Sequence, residues 1–269
     1  VEKEIGMYTL FKTECKTQVK SLLIWAAVVG GMGLVCILLY QSMEESMTGM
    51  AENFASMGAF SEAFGMNTLS IATLQGYFAA EIGTIHALGG SMFAATLATV
   101  ILSKEEDRHT GEFTYSFPVA RGKIVFLKYA SVVCMLAVFT VVCALFYEIG
   151  FGVLGEAGLQ KEFVIFMGLQ FVMNLEIASI CFLISSLSGK NRLGLGISIP
   201  VIFYVYDLMA KVVPALEDAK FLSPFSYANA TDIFAKAEHN VGALGMGAVV
   251  TVALTAASGW IYTKRDLAG

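Results

Sequence analysis

The sequence predicts an all-α, polytopic membrane protein with six transmembrane helices, and three observations carry that prediction. Of its 269 residues, 57% are hydrophobic and only 14% are charged, against roughly a quarter charged in an ordinary soluble domain. The apolar residues fall in long uninterrupted runs rather than in the broken pattern of a soluble core. Lys and Arg gather between alternate runs, as they do in chains that cross a bilayer. This composition excludes a disordered chain and a typical cytosolic enzyme. A formal net charge of −5 also leaves no basic surface for nucleic acid.

A spanning helix needs about 20 apolar residues, because the hydrocarbon layer is about 30 Å thick and each residue rises about 1.5 Å. Six runs meet that length: Leu22–Tyr40, Tyr77–Leu102, Ile124–Tyr147, Phe163–Leu187, Leu195–Val213 and Val241–Tyr262. Each must be helical, since lipid offers no partner to an unpaired backbone group. Together they make residues 1–269 a single transmembrane domain.

Ahead of the first run, Ile5, Tyr8, Phe11, Cys15 and Val19 recur at helical spacing beside a row of Lys12, Lys16 and Lys20. Residues 1–20 therefore read as an interfacial helix with its lysines toward anionic headgroups. The first apolar run is too long for the h-region of a cleavable signal peptide. The segment 41–76 has no Lys or Arg and carries Glu44, Glu45, Glu52 and Glu62. Opposite these glutamates, Met47, Met50, Phe54, Met57, Phe60 and Phe64 form one helical stripe. It reads as an extracellular amphipathic loop that either caps a substrate path or packs on the membrane face.

Between the second and third runs, residues 103–121 are charged and aromatic. Ser103 and Glu106 have the spacing of a capping box, and Pro118 ends any helix near Phe117. A helix of three or four turns is expected there, on the cytoplasmic face. Pro200 interrupts the fifth run, so that helix kinks, or a neighbour satisfies the carbonyl the proline frees. Ser223-Pro224-Phe225-Ser226-Tyr227 breaks any helix between 214 and 240 and turns the chain back. Cys15, Cys36, Cys134, Cys143 and Cys181 show no CxxC spacing and read as packing residues.

Six spans put both termini on one side. Placing that side in the cytoplasm assigns it every Lys and Arg except Lys161, Lys211, Lys220 and Lys236, which is 13 of the 17.

At residues 103–128 the sequence resembles the type-2 ABC exporter permeases, the membrane subunits of bacterial ATP-binding-cassette transporters. In that family an acidic residue, a Gly, a Pro-x-x-Arg and a Lys entering the third span mark a cytoplasmic coupling helix. Here those positions are Glu106, Gly111, Pro118, Arg121 and Lys128. The chain departs from the family where a Thr often follows the glycine: Thr110 precedes it and Glu112 follows. Ser223-Pro224-Phe225 before the last span and Lys264-Arg265-Asp266-Leu267 after it agree with the resemblance. It implies a permease in the bacterial cell membrane, working as an exporter with two permease and two ATPase copies. Phe113, Tyr115 and Phe117 would enter an apolar cleft of the ATPase, with Glu106, Glu112 and Arg121 as orienting charges.

No GxxxxGK[ST] loop is present, since Ile184 stands where Gly189-Lys190 would need the first glycine. The chain is thus expected to be no enzyme and to bind no cofactor or metal. ATP and Mg belong to the partner ATPase. The cargo reads as amphipathic or hydrophobic: a peptide, a lipid or a drug-like compound.

Glu81, His86, Glu176 and Asp207 fall inside the apolar runs. Such groups face other helices or a wet cavity, so they line a translocation path or bond between helices. They also supply the rival reading, a proton-coupled secondary transporter using these four as a relay. An intramembrane hydrolase is disfavoured by three histidines with no HExxH.

Overall fold

A computed structural model describes residues 2–65, 69–107, 109, 119–156, 161–236 and 241–265, and these contain helices and connections but no strand. In chain order the helices are α1 (Glu2–Ala55), α2 (Ala59–Phe64), α3 (Leu74–Tyr77), a π-helical turn (Phe78–Ile82), α4 (Gly83–Val100) and α5 (Lys104–Asp107). They continue with α6 (Arg121–Val153), α7 (Lys161–Leu187), α8 (Leu193–Val212), α9 (Pro214–Glu217), α10 (Ala230–Lys236) and α11 (Val241–Lys264). Five of them, α1, α6, α7, α8 and α11, are long and apolar enough to cross a membrane. They coincide with five of the six expected runs.

The remaining run, Tyr77–Leu102, is helical but divided among α3, the π turn and α4. Its 18-residue main piece carries His86, Gly89, Gly90, Ser91, Thr96 and Thr99, and it is not among the five. The reason lies in its surroundings. α4 packs against α1, α6, α7 and α8, and a helix enclosed by protein need not be as apolar as one facing lipid.

The N-terminal region departs from expectation. Residues 2–55 form one 54-residue helix, roughly 80 Å long. It merges the expected interfacial segment, the first span and the start of the 41–76 segment. No proline occurs before Pro118, so nothing forces a break. The face turned inward also differs. Glu14, Gln18, Leu22, Ala26, Val29, Ile37 and Tyr40 are buried, whereas Tyr8 is 67% exposed and Val19 39%. Lys12, Lys16 and Lys20 are exposed, as the lysine row implies.

The Met/Phe stripe is not one helix either. α1 stops at Ala55 and α2 begins after Gly58, whose φ of +55° suits only glycine. Met50, Met57 and Phe60 stay exposed in the single chain. The Tyr40 hydroxyl donates to the Ala72 carbonyl at 2.6 Å and ties this segment back to α1.

The proline in α8 is accommodated by a neighbour. The carbonyl freed four residues before Pro200 is that of Gly196, and Cys181 Sγ of α7 points its thiol at it from 3.8 Å. Ser223 starts the expected reversal: its Oγ accepts from the Phe225 amide and donates to the Phe203 carbonyl. The chain then folds back into the bundle, burying Phe225, Tyr227, Ala228 and Ile233.

α1 and α4 approach closely where Gly89 meets Val29. A Cβ at Gly89 would lie 2.3 Å from one methyl of Val29 but 3.5 Å from its Cβ. Gly89→Ala should therefore cost about 1–3 kcal/mol by overpacking. Thermal unfolding in detergent should show most of that loss recovered in Gly89→Ala/Val29→Ala, because the residual contact is ordinary.

Candidate functional site

The chemistry-bearing residues form two groups, one at an end of the bundle and one within the apolar runs. The first is a buried ionic cluster at the end carrying residue 14 and residue 265. α1 places Glu14 four residues before Gln18 and eight before Leu22, on its inward face. α6 brings Lys128, which is 0% exposed, to the same level. An ammonium has three N–H donors, and here each has an acceptor. They are Glu14 Oε1 at 3.0 Å, Glu105 Oε1 at 2.5 Å and the Ile101 carbonyl at 2.8 Å. Lys104 pairs with the other oxygen of Glu14. Two cations thus meet two carboxylates, and the buried group carries no net charge.

A second pair lies beside it. Glu106 binds Arg265, whose Nη1 donates to the Ser186 carbonyl at 2.8 Å. The Arg265 guanidinium also stacks over Tyr262, 5.6 Å from the ring centre, while the Tyr262 hydroxyl reaches the Leu102 carbonyl. Ser185 Oγ accepts from the amides of Leu102 and Ser103. Asp107 accepts from the Asn191 amide at 3.2 Å. Residues 101–107 are in this way tied to α1, α6, α7, the connection before α8, and the end of α11.

This arrangement replaces the expected capping box. Glu106 turns to Arg265 instead of the Ser103 amide, and Ser103 Oγ has no partner among the described residues. A full salt bridge outweighs one capping hydrogen bond. The short helix α5 ends at Asp107, and Gly111, Glu112, Phe113, Tyr115 and Pro118 lie outside the described residues. Arg121 opens α6, exposed, with Nη1 donating to the Arg265 carbonyl at 3.3 Å.

Burial alone would raise the Glu14 carboxyl, but the Lys128 and Lys104 ammoniums outweigh it and hold the group below its ordinary 4.5. Burial instead pushes the neighbouring Cys15 thiol up to about 11, helped by Cys134.

The second group comprises the polar residues inside the apolar runs. His86 is fully buried, with Nδ1 3.0 Å from the Tyr147 hydroxyl and its ring stacked on Phe139. Glu176 accepts from the Tyr227 hydroxyl at 2.8 Å. Gly247 of α11 makes room for it, since a Cβ there would sit 2.4 Å from its Oε2. Asp207 pairs with Lys211 at 2.9 Å and borders a cavity of about 40 Å³ shared with Thr84, Gln170 and Tyr204. Glu81 is exposed on the π turn. No hydrogen bond or ion pair joins any two of these four among the described residues.

Sequence reasoning had missed Glu14, Gln18, Lys104 and Glu105, and had used Lys128 only as a motif position. Among the described residues no group of His, Cys, Asp or Glu is arranged to hold a metal ion, and the five cysteines are free.

The described residues thus form a helical bundle with five helices long and apolar enough to cross a membrane and a buried ionic cluster at one end. The sequence model of the ABC-2 family transporter proteins matches residues 8–267, nearly the whole chain, and the protein belongs to that family. Membership places it among the membrane components of ABC transporters, which are generally not catalytic themselves. A search of individually curated proteins finds no match.

Removing Lys128 leaves the two buried carboxylates, Glu14 and Glu105, with Lys104 as the one remaining cation of the group. Lys128→Met should destabilise the protein by roughly 3–5 kcal/mol, whereas Lys264→Met, at an exposed site over Trp260, should be near neutral. Thermal unfolding of the purified variants measures both.

Because the folded-state pKa of Glu14 is depressed, its stabilisation is present above about 4.5 and is lost as pH falls below that. Melting temperature should drop on acidification from pH 5 to pH 3, and the drop should be smaller in Glu14→Gln.

Proposed function

We propose that the chain is the permease subunit of an ATP-driven exporter, crossing a bacterial cell membrane six times with both termini in the cytoplasm. Two copies, or this chain and a related permease, assemble with two copies of a separate ATPase that binds ATP and Mg. What supports this reading beyond family membership is the knot around Lys128. It fixes residues 101–107, immediately ahead of the segment that resembles a coupling helix, to four long helices of the bundle.

The physical consequence is a rigid lever. ATP binding closes the ATPase dimer and displaces the segment 108–118. Phe113 and Tyr115 grip an apolar cleft of the ATPase, and Glu112 and Arg121 orient the contact. Glu106, held by Arg265, anchors the base of the segment within the permease. Because Lys128, Glu14 and Glu105 cannot separate without stranding buried charge, the displacement passes to α1 and α6 together. Glu81, His86, Glu176 and Asp207 sit on the elements that such a motion rearranges, and they border the route of an amphipathic or hydrophobic cargo.

Co-purification tests the assignment. An ATPase chain expressed with the tagged permease should elute with it and hydrolyse ATP in its presence. Glu112→Ala and Arg121→Ala should each reduce the recovered ATPase several-fold while leaving the permease's own melting temperature unchanged. Full recovery in both variants would remove residues 112 and 121 from the contact, and absence of any ATPase partner would remove the reading itself.

A further inference from the structure

The end of the bundle opposite the ionic knot holds a cavity that the transport reading does not use. It has a volume of about 210 Å³ and lies between the π turn, the end of α6, the start of α7 and α10. Phe78, Phe151, Phe163 and Phe234 supply its aromatic wall, Thr73, Leu74 and Gln75 complete it, and Glu148 and Glu156 are its acidic lining. Among the described residues no lysine or arginine lines it.

The rings are held as one unit. Phe78 packs against Phe151, Phe163 and Phe234 at centroid distances of 5.3, 5.9 and 5.5 Å. Phe151 and Phe163 meet edge to face at 5.8 Å and 89°. The Glu156 amide donates to the Phe151 carbonyl at 3.0 Å and closes the loop at the rim. Glu148 Oε1 is enclosed, with no hydrogen-bond partner among the described residues. An acceptor left in that state costs about 1–3 kcal/mol, and more when charged, so a ligand that compensates it gains accordingly.

We propose that this cavity binds an organic ammonium group. Phenyl faces attract a cation within about 6 Å of their centres, and aromatic enclosures recognise alkylated ammonium in this way. The alkyl substituents fill the apolar walls while the charge lies between the rings and Glu148. A neutral apolar ligand would leave the Glu148 oxygen uncompensated. A bare metal ion would want a converging set of oxygen ligands, and among the described residues no group of His, Cys, Asp or Glu is arranged to hold one. The inference stands apart from the transport reading, because it depends only on the chemistry of this cavity.

Alkylated ammonium reaches the site from one of two sources: the headgroup of a membrane lipid, or a small free cation. Glu148 follows directly on the expected third span and Phe163 begins the fourth, so the cavity lies at the expected membrane boundary and both sources have access.

The test is calorimetric titration of the purified full-length chain, in a detergent without choline, with tetramethylammonium. Saturable binding is expected, with competition by choline and none by 3,3-dimethylbutanol, which keeps choline's shape without its charge. Equal competition by the neutral alcohol overturns the proposal on the wild-type protein alone, as does the lack of saturable binding. Glu148→Gln and Phe151→Leu should each weaken binding about tenfold, with melting temperatures unchanged. Unchanged affinity in both variants assigns the cation elsewhere. Reconstitution in phosphatidylcholine against phosphatidylglycerol nanodiscs then identifies the source. Loss of tetramethylammonium binding in the first lipid alone supports a lipid headgroup, and equal binding in both supports a free cation.

Discussion

The constraint on which this structure depends is the burial of one ammonium. Lys128 has no contact with solvent, and each of its three protons must find an acceptor inside the protein. Two come from α1 and α5 as carboxylates and one is the Ile101 carbonyl at the end of α4. Those three elements and α6 can therefore meet in only one register at this end. Apolar packing in a membrane discriminates weakly between registers, because lipid tails are as apolar as leucine. A charge that must be matched discriminates strongly. The Glu106–Arg265 pair extends the same device to α11 and, through the Ser186 carbonyl, to α7.

Three of the polar residues within the apolar runs are answered locally, His86 by the Tyr147 hydroxyl, Glu176 by the Tyr227 hydroxyl and Asp207 by the Lys211 ammonium. Tyr227 can reach Glu176 only because Ser223 and Pro224 turn the chain back into the bundle, and because Gly247 leaves space beside the carboxylate. A loop that looks like a connector in the sequence is thus part of how the interior is satisfied. At the other end the aromatic group around Phe78 fills the space between helices without any such pairing, and Glu148 is left facing its cavity.

Much of the architecture was legible from residue order. The apolar runs from 124, 163, 195 and 241 match α6, α7, α8 and α11 closely, because crossing a bilayer demands length and apolarity that few other folds mimic. Pro200 and Ser223-Pro224 acted where backbone chemistry requires. The run from 77 was harder, because α4 is sheltered by four other helices and tolerates Gly, Ser, Thr and His that lipid would penalise. The continuity of α1 was also misjudged. A change from lysine-rich to apolar composition suggested two elements, whereas helical hydrogen bonding passes through it unbroken.

The sequence by itself determined the class of the protein, the position of most spans, and the family resemblance that the match over residues 8–267 shows. Those properties depend on composition and local spacing, which lipid and backbone chemistry read directly. Only the tertiary structure decided the ionic knot. Glu14, Lys104, Glu105, Lys128 and Arg265 are spread over 250 residues, and each alone reads as a solvated surface charge. Whether a charge faces water or another charge depends on which helices pack together, and no local pattern records that.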